Sequence, residues 1–274
     1  MGKKTLIEKV LEPETRRQRK PSTGRLPKLV AALGRVPPIT VVHPWFRPDL
    51  TDMRWIPVNE DLLLPENVPA PLALLDRLIE EASHRVIFNA CGCRTAFQCE
   101  NHPTDIACLM MGDSALETSP SLRREVGVTE AKEHARKAVE AGLVPMVGKA
   151  RVDNYIFGVK DRSRLLSTCF CCDCCCISRY ERYFSKGRLS EMFPRLNGVH
   201  VEVGPACDGC GDCVAHCYVG AIKMKGGKAV ISEKCRACGR CAAMCPPRAI
   251  TVAIDDGSFL DTDYERILAC VRHY

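Results

Sequence analysis

A chain of 274 residues, 46% apolar and 26% charged, is long enough for two globular units, and no run in it approaches the roughly 18 uncharged apolar residues of a membrane-spanning helix. Its net charge of +6 is concentrated in residues 1–35, which carry a surplus of seven positive charges, while the remainder is close to neutral. Nineteen cysteines behind an N-terminus with charges throughout and no apolar signal core argue against a secreted disulfide scaffold and predict a reducing, oxygen-poor cytoplasm where thiols stay free for metal.

Within the basic arm, Leu26, Leu29, Val30 and Leu33 recur at helical spacing until Pro37 and Pro38 stop the pattern. The short amphipathic helix this predicts has two readings. Its apolar stripe packs on the protein's own core, or its flanking cations seat it on an acidic partner or on the anionic cytoplasmic face of a membrane. Nucleic acid is not an expected partner, because no aromatics interleave the cations and no binding motif follows. The proline-rich stretch that continues to Pro71, with Trp45, Phe46 and Trp55, reads as an extended strap, so residues 1–60 are expected to form an arm and strap.

From Pro71 an apolar face at Leu72, Leu75, Leu78, Ile79 and Ala82 predicts a helix, and Arg85 to Ala90 predicts a strand that delivers the chain to Cys91. Cys91, Cys93, Cys99 and Cys108 then fall within 18 residues. In an extended Cys-x-Cys both side chains point to one face, so this quartet reads as a third [4Fe-4S] site, with zinc as the competing tenant and packed thiols as the plain alternative. Arg94 stands where a guanidinium would offset cluster charge or make an ordinary salt bridge. A second helix is expected over Thr129 to Ala141, with Thr129 as its N-cap and Gly142 as its stop.

Six further cysteines, Cys169, Cys171, Cys172, Cys174, Cys175 and Cys176, are too many for one cubane. Strand alternation would put Cys172, Cys174 and Cys176 on one side and Cys171 and Cys175 on the other. They hold a further cluster, complete the quartet's coordination, or include thiols for exchange, which Arg162, Arg164, Arg179 and Arg182 would favour as thiolates. Asp173 reads as a hydrogen-bonded carboxylate before an oxygen ligand, and His84, His102, His134 and His216 as surface or hydrogen-bonded side chains. Cys270, in a tail helix expected over Asp263 to Arg272, reads as packing.

Near the C-terminus one spelling occurs twice: Cys207-x2-Cys210-x2-Cys213-x3-Cys217 and Cys235-x2-Cys238-x2-Cys241-x3-Cys245-Pro246. Gly209, Gly211 and Gly239 sit inside these loops, where a missing Cβ allows tight wrapping, and zinc would leave the regular third and fourth cysteines unexplained. Tyr218 stands after Cys217 where the second run has proline. Residues 198–255 resemble the two-cluster bacterial ferredoxin domain. That resemblance implies one [4Fe-4S] cluster on Cys207, Cys210, Cys213 and Cys245 and another on Cys235, Cys238, Cys241 and Cys217, with a hairpin at Ala221 to Ile231 turning on Gly226 and Gly227. The upstream cysteines together with Leu109-Met-Met-Gly112 and Gly142-Leu-Val-Pro-Met are similar to an extended family of ferredoxin-like proteins from anaerobes, which implies iron-sulfur cargo and no particular reaction.

The expected fold is α+β: a mainly helical cysteine-rich metal-binding domain over residues 61–197, a ferredoxin-like domain of short helices and β-hairpins over 198–255, and a tail helix over 256–274. No dinucleotide fingerprint, phosphate-binding loop or nucleophile elbow occurs, so a flavoprotein or another oxidoreductase subunit is expected as redox partner. The expected function is an electron-transfer component of an anaerobic oxidoreductase, relaying single electrons through the two C-terminal clusters to or from an N-terminal one. The alternative is a reductase whose N-terminal cysteine cluster is itself the catalytic metal or thiol site.

Overall fold

The computed structural model describes residues 4–11, 51–57, 62–63, 71–150, 152–184 and 191–271. The helix expected around Leu26 to Leu33 and most of the strap, including Trp45 and Phe46, lie outside them. In chain order the upstream elements are α1 (Leu6–Leu11), β1 (Asp52–Trp55), β2 (Leu62–Leu63), α2 (Leu72–Glu81), β3 (Arg85–Phe88), α3 (Gly92–Ala96), β4 (Leu109–Met111), β5 (Arg123–Glu125), α4 (Val128–Glu140), β6 (Val144–Lys149), α5 (Asp153–Phe157), β7 (Leu166–Cys171) and α6 (Glu181–Phe184). The C-terminal elements are β8 (Val199–Val203), α7 (Asp212–His216), β9 (Ile222–Lys225), β10 (Lys228–Ile231), α8 (Arg240–Ala243), β11 (Ile250–Ile254) and α9 (Phe259–Ala269).

The upstream region departs from the mainly helical expectation. It is built on a six-stranded sheet in the order β1-β6-β7-β4-β3-β5, with every neighbouring pair antiparallel. Side-chain alternation explains how it is covered on both faces. Ile87, Leu109, Met111, Val147 and Leu166 join Leu74, Leu75, Leu78 and Ile79 of α2 and Ala131, Ala135 and Ala138 of α4 in one buried cluster. Val86, Phe88 and Met110 join Ile7 of α1 and Phe157 of α5 in the other. Each fully buried leucine contributes about 1.5–3 kcal/mol of transfer free energy. Gly148 fixes the β1–β6 edge by close approach, since a Cβ there would stand 1.9 Å from the Asp52 carbonyl oxygen.

Helix α2 starts after Pro71 and ends where Ala82 turns extended, as its apolar spacing predicts. Helix α4 begins at Val128 with Gly127 in the capping position, two residues before the expected Thr129 cap, and its chain leaves through Gly142 at φ +74°. The tail helix begins at Phe259, earlier than the expected Asp263, because Phe259 is fully buried and anchors the first turn. Cys270 is half-buried at its end.

In the C-terminal region β9 and β10 form the expected hairpin, with Gly226 and Gly227 at φ +58° and +73° in its two-residue turn. A separate three-stranded sheet runs β2-β11-β8, in which the upstream strand β2 pairs parallel with β11. One buried cluster runs through both regions, from Met53 and Leu75 to Tyr218, Ile222 and Ala242.

Asp153 opens α5 inside this interior, accepting from Ser167 Oγ at 2.6 Å and from the Ala150 amide at 3.2 Å. Burial pushes its carboxyl up from 3.8 to about 6, so the folded state holds a proton that the unfolded chain has lost between those values. Stability is therefore expected to fall as pH rises through that window and to stay level above it. Asp153→Asn should remove this slope and raise stability near pH 7 by about 2–3 kcal/mol, measured by urea unfolding at several pH values.

Candidate metal centres

Each C-terminal loop wraps its thiols around a common point. Gly209, Gly211 and Gly239 take φ values of +83°, +83° and +78°, and a Cβ on Gly209 would meet the Gly227 carbonyl oxygen at 2.2 Å, so this loop packs directly on the hairpin turn. A cavity is lined by Cys207, Cys210, Cys213 and Cys245 together with Met224, Met244 and Ile250. Its fourth cysteine comes from the second run. Cys217 likewise crosses to join Cys235, Cys238 and Cys241: burial pushes the Cys241 thiol up, and the neighbouring Cys235 and Cys217 push it further.

Backbone amides point at the sulfur atoms, as a bound anion requires. The amides of Ala221, Ala229, Ala237 and Ala249 donate to Cys217, Cys207, Cys235 and Cys245 Sγ at 3.2–3.4 Å. Four converging soft donors, amides aimed at them and glycine-permitted loops fit an iron-sulfur cluster in each group. The first group includes the exposed Cys210, whereas Cys217, Cys235, Cys238 and Cys241 are all buried or half-buried, so the two groups differ in their access to solvent.

Upstream, the structure divides the predicted quartet. Cys99 leaves its sequence neighbours and joins the later run: its Sγ is 3.5 Å from Cys174 Sγ, Cys172 Sγ is 3.3 Å from Cys175 Sγ, and these four sulfurs all lie within 4.8 Å of one another. The expected alternation of the run fails because β7 ends at Cys171 and the chain turns over Cys172 to Cys176. That turn brings the Cys172 amide to Cys176 Sγ at 3.1 Å and bunches Cys172, Cys174 and Cys175 on one point.

Cys91, Cys93, Cys108 and Cys169 neighbour one another on the other side of Cys176, which is hydrogen-bonded to both Cys93 and Cys172. Cys108 and Cys169 Sγ are 3.9 Å apart. The Cys91 thiol is pushed up by its hydrogen bond with Cys93, by burial and by nearby Cys108; that of Cys169 is pushed up by Cys108, burial, Cys171 and Cys93. Cys171 and Cys176 are buried, and Cys176 Sγ lies 3.5 Å from Cys172 Sγ.

The basic residues act differently from expectation. Arg164 pairs with Asp113, Arg179 Nη1 donates to the Cys174 carbonyl at 2.9 Å, and Arg182 Nη2 donates to the Cys217 carbonyl at 2.8 Å. Hydrogen bonds from Cys175 and Cys176 are the largest influences drawing the Cys172 thiol down. Among the described residues Arg94 makes no salt bridge: it is fully buried and donates to the backbone carbonyls of Phe170 and Ile106.

Asp173 proves to be the hub between the two regions. Its carboxylate accepts from His216 at 2.6 Å and from Arg240 Nη2 at 2.8 Å, and His102 Nε2 lies 3.5 Å away. Burial opposes ionisation there, but the hydrogen bonds from His216 and Arg240 outweigh it and hold the carboxyl below its ordinary range. His216 precedes Cys217 and Arg240 precedes Cys241, so Asp173 ties the thiol turn to two cluster-loop residues. Tyr218 adds a second tie, donating its hydroxyl to the Cys171 carbonyl at 2.8 Å with its ring 4.6 Å from that of Trp55. His134 is hydrogen-bonded to the Ala107 carbonyl and His84 to Glu125, in keeping with non-ligand roles.

The family model for a 4Fe-4S dicluster domain matches residues 206–249. No curated protein and no solved structure matches the chain. No helix among the described residues is long and apolar enough to cross a membrane.

Proposed function

We propose that this iron-sulfur protein is an electron-transfer component of a larger oxidoreductase, in which a two-cluster ferredoxin unit exchanges single electrons with a further metal centre held by upstream cysteines. Cys207, Cys210, Cys213 and Cys245 would hold one cluster, Cys217, Cys235, Cys238 and Cys241 the second, and Cys99, Cys172, Cys174 and Cys175 the upstream centre. Bound clusters would supply reversible one-electron storage. The carrying observation is the Asp173 bridge, which seats the upstream thiol turn directly against His216 and Arg240 of the C-terminal cluster loops.

The residues around these thiols serve that role. Amides from Ala221, Ala229, Ala237 and Ala249 favour anionic sulfur, Arg179 and Arg182 pin the carbonyls of Cys174 and Cys217, and buried Tyr218 and Trp55 keep water from the junction. The redox partner would be a separate flavoprotein or oxidoreductase subunit, with the basic N-terminal arm as docking element for it or for a membrane face.

The test is an anaerobic iron, sulfide and zinc count combined with redox titration followed by electron paramagnetic resonance. About twelve irons or more per chain and an upstream signal lost in Cys172→Ser support the relay; about eight irons, or zinc upstream, defeat it. Asp173→Asn should lower stability by about 1–3 kcal/mol, because Arg240 and His216 lose their anionic acceptor, and should slow electron exchange between the regions. Unchanged exchange in a folded variant would remove Asp173 from the path.

A further inference from the structure

Of the seven thiols left over by that reading, four are not scattered. Cys91 stands at the start of α3 and Cys93 within it, Cys108 immediately before β4, and Cys169 in β7. Strands β4 and β7 are paired in the sheet, and this register places Cys108 and Cys169 side by side with Sγ atoms 3.9 Å apart. The hydrogen-bonded Cys91–Cys93 pair lies against them.

Arg94 supplies an independent observation. Its side chain is wholly inaccessible to solvent, its Nε has no hydrogen-bond acceptor, and among the described residues no carboxylate forms an ion pair with it. A guanidinium does not lose its proton in a protein, so this is a permanent positive charge in the interior. Such a charge is costly unless a negative one lies near it. The groups that surround it are sulfurs, those of Cys91, Cys176, Cys172 and Cys108. Neutral thiols cannot balance it; thiolates on a metal centre can.

Its two hydrogen bonds carry the same message. Arg94 Nη1 donates to Phe170, between Cys169 and Cys171, at 2.8 Å, and Nη2 donates to Ile106, two residues before Cys108. Arg94 itself follows Cys93. One cation therefore holds together the three backbone segments that present Cys93, Cys108 and Cys169.

We propose that Cys91, Cys93, Cys108 and Cys169 hold a second upstream centre, an iron-sulfur cluster distinct from that on Cys99, Cys172, Cys174 and Cys175, and that Arg94 is its counter-cation and positioning residue. This rests on the proposed relay and extends it to four centres in one chain. Arg94 faces sulfurs of both upstream groups, so its charge acts on both centres.

The test uses the full chain, reconstituted without air with ferrous iron and sulfide. Wild type should take up about sixteen irons, and Cys108→Ser and Cys169→Ser should each lose the same four or so, leaving the Cys172-dependent signal in place. Cys172→Ser should lose a different set. Arg94→Gln should lower the reduction potentials of the upstream centres, because a positive charge that stabilises the reduced state is gone, and Arg94→Lys should restore part of the shift. Retention of every iron in folded Cys108→Ser and Cys169→Ser would overturn the second centre. If those variants fail to fold, a wild-type count that stops at about twelve overturns it as well. Zinc at these four thiols would refute the iron-sulfur assignment. Loss of iron in Cys172→Ser but not in Cys108→Ser defeats this inference and leaves the relay standing, whereas the reverse outcome defeats the relay's ligand set alone.

Discussion

Cys245→Ser is expected to remove the same cluster as Cys210→Ser, although the two cysteines belong to different runs of the sequence. The cavity bounded by Cys207, Cys210 and Cys213 takes its fourth wall from Cys245, whereas Cys217 faces Cys235, Cys238 and Cys241. Each serine variant should therefore lose about four irons per chain, and the pair Cys210→Ser and Cys245→Ser should leave one identical residual paramagnetic signal. Cys238→Ser and Cys217→Ser should leave the complementary one. A Cys245→Ser protein that resembles Cys238→Ser would show that each run closes its own cluster. The two centres should also differ in durability. Cys210 is exposed while none of Cys217, Cys235, Cys238 and Cys241 is, so on air exposure the centre of Cys207, Cys210, Cys213 and Cys245 should bleach first.

Arg54→Met is expected to destabilise the protein by about 3–5 kcal/mol, enough to lower Tm by on the order of 10 °C. Arg54 in β1 and Asp263 in α9 are both fully buried and joined as an ion pair. Arg54 also holds Asp52 in a two-pronged contact at 2.8 and 2.9 Å, and Asp263 accepts the Asn197 amide at 2.7 Å. Removing the guanidinium leaves a carboxylate in the interior that burial already pushes above its ordinary range. Its folded-state value would rise further, so the deficit should shrink as pH falls and that carboxylate takes up a proton. The double variant Arg54→Met, Asp263→Leu should recover most of the loss, because the unpaired charge rather than the missing attraction carries the cost. Equal destabilisation of single and double variants in urea unfolding would assign the effect to packing.

What could be read from the chain follows the reach of each interaction. The cluster loops, the Gly226–Gly227 hairpin, α2 and β3 are written in neighbouring residues, since fixed cysteine spacing, a two-glycine turn and one apolar stripe are all local signals. The six-stranded sheet is not local. Its strands β4 and β5 have three residues each, too few to show a period of two, and β7 is spelled Leu-Ser-Thr-Cys-Phe-Cys, whose cysteines look like ligands before they look like a strand. Nearness in sequence groups Cys91, Cys93, Cys99 and Cys108, and the helix α3 undoes that grouping by carrying Cys99 away toward a turn some 75 residues further on. Asp173 was legible as a hydrogen-bonded carboxylate, but its partners His216 and Arg240 lie 43 and 67 positions away and belong to loops whose docking no periodicity reveals. Arg94 gave a signal in its place beside Cys93; its solitude among sulfurs is a property of the folded interior alone.

Tyr218 occupies the one position where the first run abandons the proline of the second, and that exchange decides how the ferredoxin portion is owned. A proline there has no hydroxyl to offer the Cys171 carbonyl and no ring to meet Trp55, whereas tyrosine welds the loop to the upstream sheet. Strand β2 compounds the attachment by lending its backbone to the edge of β11. A fragment trimmed at residue 198 would forfeit both and bare an aromatic seam to water. Replacing this region with one that has proline after Cys217 would thus lose the hydroxyl and ring contacts even with every cysteine preserved.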